Sequence, residues 1–317
     1  MIRKMIEETV AGVFAIAASV ALAVVLFLAV SEAKGETLQE QLDANGFLRF
    51  PAGKVQVTEK LIVRNGQRAI GEGVATTLEW KGEGAYALRV EAKYLAEVKD
   101  FVLVGGGVEL PYLVQTNEIE SVRVFNARED AFHLENPQGE RQVLLKCLAW
   151  ESKRHGLYLT ANEAKDTGTN GLTLEKCNLQ NNGGFGAFLE TTEKNGEVLD
   201  TCFERCTIQG NKAGGVKIVG YVNGTRFRDT WIEEPGRVGV VIAGKQLGDA
   251  LRRPLNTLFE GRTVISECSP GVISESGGPV VIDELCLFGK TCTYETTGDK
   301  LFPPTGAMRR VDKGKVK

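Results

Sequence analysis

Histidine is nearly absent from this chain: 317 residues contain two, and no Cys-x-x-Cys pair occurs, which leaves little material for a zinc site. No excess of positive charge exists either. With 38 Lys+Arg against 41 Asp+Glu, the formal charge of −3 excludes a nucleic-acid binder that relies on broad phosphate neutralisation. No cofactor is expected; composition does not exclude a divalent cation, but no site for one is recognised. What the chain has in plenty is glycine, 37 of 317 residues or about 12% against roughly 7% in average proteins. No collagen triplet accompanies it, so these glycines punctuate many turns. Apolar residues at 43% and charged residues at 25% are ordinary proportions that supply a sizeable core.

The first thirty-odd residues stand apart. Arg3 and Lys4 precede an uncharged run from Thr9 to Ser31 that ends in Ser31-Glu32-Ala33, a small-x-small pattern. This reads as export, by a cleaved signal peptide or an uncleaved anchor over residues 1–33, and implies a secreted, periplasmic or envelope protein. Contact with a membrane is expected only if the segment stays uncleaved. Residues 34–300 form the main domain, and 301–317 a basic, loosely ordered tail with Arg309, Arg310, Lys313, Lys315 and Lys317.

Thr37-Leu38-Gln39-Glu40 fits a capping box, predicting a short amphipathic helix at the start of the domain. Beyond it, helical period almost vanishes. A short strand recurs instead, usually just after glycine: Gly156-Leu157-Tyr158-Leu159, Gly186-Ala187-Phe188-Leu189, Gly215-Val216-Lys217-Ile218 and Gly239-Val240-Val241-Ile242. Weaker copies start at Ala85, Pro111, Ala131 and Gly271. A second strand type lies between them, centred on Phe101, Val122, Cys147, Cys177, Cys206, Thr230, Arg262 and Leu285, with Arg262 the poorest match. Strand pairs repeating near every 26 residues, without a helix per repeat, indicate a β-solenoid of roughly 8–10 coils. Stacking then makes Cys147, Cys177 and Cys206 an inward ladder, as packed thiols or as disulfide partners, and sets Asn182 over Asn211 in a turn.

Phe47-Leu48-Arg49-Phe50-Pro51-Ala52-Gly53 resembles the F-P-A-G strand and turn that opens pectate-lyase-superfamily domains. Gly71-Glu72-Gly73 with Thr76-Thr77-Leu78 resembles their first coil, and Leu172–Gly184 their generic coil. The resemblance spans roughly residues 36–295. It implies an all-β, single-stranded right-handed parallel β-helix of the pectin-lyase-like type, the handedness coming from the resemblance alone. Arg128–Leu134 loosely resembles the polygalacturonase segment N-T-D-G-I-x-V, and Arg154–Leu159 its G-H-G-x-S-I. That likeness implies a catalytic carboxylate at Asp130 and a supporting role for His155, although the paired-aspartate strand and the downstream R-I-K are absent.

Alternation turns one column of side chains outward: Ala87, Leu113, His133, Tyr158, Phe188, Lys217, Val241 and Ile273. The next holds Arg89, Gln115, Glu135, Thr160, Glu190, Val219, Ala243 and Glu275. Stacked aromatics beside carboxylates suit a polysaccharide, whose faces lie on rings and whose hydroxyls bond carboxylates. The candidate catalytic group is Asp130, His155, Tyr158, Glu135 and Glu190, with His133, Phe188 and Lys217 holding substrate. Glu135 and Glu190 lie two coils apart, about 10 Å at the backbone. Hydrolase, lyase and epimerase chemistry on an acidic, uronate-containing glycan all remain open, and so does a non-catalytic envelope or adhesive β-helix that binds glycan or protein.

Overall fold

The computed structural model describes residues 36–92, 95–111, 118–135, 142–162, 169–275, 280–283, 286–289, 292–297 and 309–311. The run from Thr9 to Ser31 and most of the basic tail lie outside these residues. No helix among the described residues is long and apolar enough to cross a membrane.

A single coil explains the architecture. Leu172–Glu175 runs as a strand, turns at Lys176, continues as Asn178–Gln180, turns again at Asn181 and enters Phe185–Thr191 before the chain returns one rung further on. Repetition of this path builds a nineteen-stranded sheet bent along a corner and a ten-stranded sheet opposite it. Neighbouring rungs pair in parallel, as in Leu157↔Ala187 and Ala187↔Val216. The chain is thus a parallel β-helix, as its repeat predicts.

Each corner turns on one residue in the left-handed region. Asp100, Ser121, Lys146, Lys176, Arg205 and Asp229 occupy the first corner on successive coils, with φ between 51° and 61°. That conformation costs an L-residue roughly 1–2 kcal/mol, so the sheets must over-determine it. They do: the amide of Lys176 donates to Glu204 O at 2.9 Å and that of Arg205 to Arg228 O at 2.9 Å.

Inside the corner runs a spine of small donors. The thiols of Cys147, Cys177 and Cys206 donate to the carbonyls of Ile119, Leu144 and Leu174 at 3.4, 3.1 and 3.3 Å. The hydroxyls of Thr230 and Thr263 continue it to Phe203 O and Phe227 O at 2.9 and 2.8 Å. The three cysteines are buried thiols rather than disulfide partners. Thr263, not Arg262, holds the spine position, because the coil carries one extra residue: Arg228 to Trp231 spans three steps, whereas their partners Glu260 and Val264 are four apart. Gly261, with φ 60°, takes up the bulge.

Phe203, Phe227 and Phe259 stack through the interior with centroids 5.1 and 5.0 Å apart and planes 11° and 13° from parallel. Burying each ring contributes about 1.5–3 kcal/mol. A second spine lies under the other corner. Asn182 accepts from the Ser152 amide at 3.1 Å and donates to Asn211 Oδ1 at 2.8 Å, and Asn211 donates to Glu234 at 2.8 Å. Glu234 is fully buried, and burial pushes its carboxyl up to about 7.

One helix, α1 (Leu38–Asn45), covers the first coil. Its capping box forms as expected, with the Glu40 amide donating to Thr37 Oγ1 and the Thr37 amide to Glu40 Oε2, and Leu42 fully buried.

Candidate functional site

The ten-stranded sheet presents its outward face as a column fixed by strand register. From Arg89 it runs through Glu109, His133, Tyr158, Phe188, Lys217 and Val241 to Ile273. The sequence reading holds from His133 onward and fails at the two coils before it. Ala87 is buried in the core, and the strand of the next coil is Gly107–Pro111, which puts Glu109 outward; Leu113 and Gln115 lie outside the described residues.

On this column rings meet rings. His133 lies 5.6 Å from Tyr86 and 5.0 Å from Tyr158, and Tyr158 lies 5.6 Å from Phe188, between centroids. His155 and Phe185 flank the column, His155 at 5.8 Å from Tyr158 and 5.2 Å from Phe188. Lys217 closes the ladder, its Nζ 5.3 Å from the Phe188 centroid and 5.7 Å from that of Phe185. Alternation alone explains this stacking, because outward residues of successive coils are rung neighbours about 4.8 Å apart.

Asp130 does not face solvent. It is completely buried, and its two oxygens accept from Arg154 Nε at 2.8 Å, from Arg154 Nη2, from the His155 amide at 2.9 Å and from the Tyr86 hydroxyl at 3.2 Å. The carboxylate therefore ties together three members of the surrounding face. Arg154, fixed in this way, places its guanidinium 4.5 Å from the Tyr158 centroid. His155 is fixed from a second side, since the Phe185 amide donates to its Nδ1 at 3.0 Å. The neutral imidazole then carries its proton on Nε2. Gly184 makes that seat: a Cβ there would fall 2.5 Å from His155 Nδ1.

The second outward column places Glu135, Thr160 and Glu190 on consecutive rungs. Glu190 accepts from the Tyr158 hydroxyl and pairs with Lys245 at 2.8 Å, while Asn162 donates to Glu135. Thr160 is buried instead of open. Lys245 comes from an antiparallel hairpin, Lys245–Leu247 with Ala250–Arg252, and reaches back two rungs past buried Val219. Sequence reasoning missed it. Leu247-Gly248-Asp249-Ala250 nonetheless carries a two-residue hairpin signal, and Gly248 sits at φ 60°. Arg154, Tyr86 and Phe185 were missed as well; only the adjacency of Arg154 to His155 pointed toward them.

Burial sets the protonation of this face. It lowers the pKa of both His133 and His155, so each is neutral at pH 7. Burial, followed by the hydrogen bond to Glu190, raises the Tyr158 phenol, which stays a proton donor. The face thus presents a phenol, an imidazole N–H, two carboxylates about 10 Å apart at the backbone and the cation Lys217. Among the described residues, no carboxylate lies within ion-pair distance of Lys217, and no group of three His, Cys, Asp or Glu could hold a metal ion.

Residues 104–246 match the family described as right handed beta helix region. Comparison with curated protein sequences finds no match. Among solved structures, the chain is similar to Geobacillus virus E2 ORF18, with TM-score 0.54 and 15% identity over 82% of this chain. It spans 52% of that protein's length. It is also similar to endopolygalacturonase I from Stereum purpureum, with TM-score 0.50 and 11% identity over 83% of this chain and 95% of the other. The catalytic unit of a GH87 alpha-1,3-glucanase from Streptomyces thermodiastaticus gives TM-score 0.50 and 12% identity over 88% of this chain and 68% of the other. Parallel strands, single-residue corners and these likenesses agree: the chain is a right-handed parallel β-helix with the pectin-lyase-like fold.

Proposed function

We propose that the chain binds an acidic polysaccharide along the outward face of the ten-stranded sheet and acts on it by acid–base chemistry. The observation that carries this reading is the continuous ladder of π faces from His133 through Tyr158 to Phe188, ending at Lys217. Sugar faces lie on such rings. Lys217, with no carboxylate of the described residues beside it, is placed to meet a uronate. Tyr158 is the proton donor, Glu190 the carboxylate that takes a proton, and His155 the hydrogen-bond donor through Nε2. Asp130 acts as a positioning residue for Arg154 and His155. Two of the proteins that share the fold are by name an endopolygalacturonase and a glucanase, which supports a polysaccharide partner.

A second reading is binding without turnover. It is favoured by Glu190 already being held by Tyr158 and Lys245. Both readings include export, carried by the uncharged run from Thr9 to Ser31. Incubating the purified full chain with a panel of uronate-rich polysaccharides separates them, with reducing ends and the absorbance of unsaturated products followed over time. Turnover that falls at least about tenfold in Tyr158→Phe and Glu190→Gln supports the catalytic reading. Turnover unchanged in both removes the named residues from the chemistry, and retention on a glycan with no product leaves the binding reading. Recovery of the chain from the cytoplasmic fraction of its host would contradict export.

A further inference from the structure

Beside the ladder, at the corner that leads into the ten-stranded sheet, lies a hollow of about 500 Å³. Its shape follows from three successive coils. Lys153, Gly183 and Lys212 occupy one position of the corner, so a missing side chain separates two lysines that stand two rungs, about 10 Å, apart. At the preceding corner position, Glu151, Asn181 and Gly210 line the hollow on successive coils, Gly210 with φ 67°. Neither glycine takes a side chain without its neighbours moving. A Cβ on Gly183 would overlap the Lys153 carbonyl oxygen, and one on Gly210 the Asn181 side chain.

Many charges on the surface are paired. Lys146 pairs with Glu120, Arg228 with Glu260, and Lys245 with Glu190. Among the described residues, neither Lys153 nor Lys212 has a carboxylate within ion-pair distance, and Glu151 has no cation. Ser152, which also lines the hollow, is 1% exposed, and its hydroxyl has no hydrogen-bond partner. Two open cations call for an anion. Glu151 repels a dense anion such as sulfate but accepts hydrogen bonds from hydroxyls, and the volume suits a ring rather than a lone ion.

We propose that this hollow is a binding site for an acidic sugar unit, with its carboxylate between Lys153 and Lys212 and its hydroxyls donating to Glu151. Arg154 and His155 follow Lys153 directly, so one polysaccharide can cross the hollow and continue onto the ladder. The choice of ligand class rests on the polysaccharide reading; the geometry of the hollow does not.

Amide NMR of the isotope-labelled full chain, titrated separately with glucuronate, glucose and sulfate, tests the proposal. Glucuronate is expected to shift the amides of Lys153, Gly183 and Lys212 to saturation, with glucose inert and sulfate much weaker. In Lys153→Ala/Lys212→Ala, glucuronate binding at the hollow weakens at least about tenfold. Sulfate acting as strongly as glucuronate shows a general anion site and overturns the sugar assignment. Binding unchanged in the double variant, or no saturable shift, overturns the site itself. Shifts confined to Tyr158 and Phe188 overturn the hollow and keep the ladder, whereas shifts confined to the hollow keep this proposal and remove the ladder.

Discussion

The two sheets obey one alternation rule yet turn different faces to water. Along the nineteen-stranded sheet and its corner, outward residues carry charges of opposite sign that pair at the surface, as in the corner residue Lys146 with Glu120, whose side chains are 52% and 22% exposed. On the ten-stranded sheet, the outward column opens with the pair of Arg89 and Glu109 but carries rings that cover one another from His133 to Phe188. The causes of the pKa shifts separate in the same way. Hydrogen bonding to Lys146 holds the Glu120 carboxyl below its usual range, whereas burial moves His133, His155 and Tyr158. A solvated face tunes its groups by ion pairs; a face covered by its own rings has already lost part of its water.

The largest expected effect comes from removing the tie beneath the ring face. Asp130→Ala strands the His155 amide and the Tyr86 hydroxyl and releases Arg154, so urea unfolding is expected to show a loss of about 3 kcal/mol. A loss below about 1 kcal/mol would mean that Asp130 does not organise this face.

Next come the rings themselves. Tyr158→Ala/Phe188→Ala removes contacts that are only half-buried, and unfolding should weaken by about 1–3 kcal/mol in total while the coil stays intact by circular dichroism. Loss of the β-sheet signal would show that the ladder holds up the fold.

Dependence on pH sharpens the contrast. Because the folded pKa of each histidine lies below 6.5, the unfolded chain binds more protons in the window between the two values. The histidine contribution to stability is complete above pH 6.5 and is lost as pH falls through that window. Glu234 acts in the opposite sense: with its carboxyl raised from 4.5 to about 7, its contribution is present below pH 4.5 and lost as pH rises to about 7. Carboxyl NMR of the folded chain should therefore find Glu234 titrating near 7, and a value at or below 4.5 would contradict its burial. Histidine ring NMR should find both imidazoles titrating below 6.5, and a value above 6.5 for either would contradict the burial of the ring face.

The smallest effect belongs to the other sheet. Lys146→Ala removes a solvent-screened pair and should leave the unfolding midpoint unmoved, while the Glu120 carboxyl returns toward its ordinary value. A clear loss of stability would erase the distinction between the two faces.

The repeat made most of the fold readable. Once Gly156, Gly186, Gly215 and Gly239 set the phase, Cys147, Cys177 and Cys206 fell on the inner spine, and His133 through Ile273 on the outer column. The errors have local causes. Gly105-Gly106-Gly107 starts its strand four residues before the copy read at Pro111, and the extra residue at Gly261-Arg262 breaks the spacing. Strand alternation is a rule for strands, so it does not reach the loop segment that buries Asp130. Nor does it reach Lys245, which arrives from a hairpin 55 residues after Glu190. The candidate site was legible as a face, while the pairing of its acids and cations needed the fold.

Equilibrium binding of the purified full chain to a panel of uronate-rich polysaccharides tests the central claim most directly, when Tyr158→Ala/Phe188→Ala is compared with Lys146→Ala from the corner of the nineteen-stranded sheet. The account predicts that at least one polysaccharide is retained by the native chain and by Lys146→Ala but lost by the ring variant. Equal retention by the ring variant, or no retention by the native chain across the panel, would contradict it.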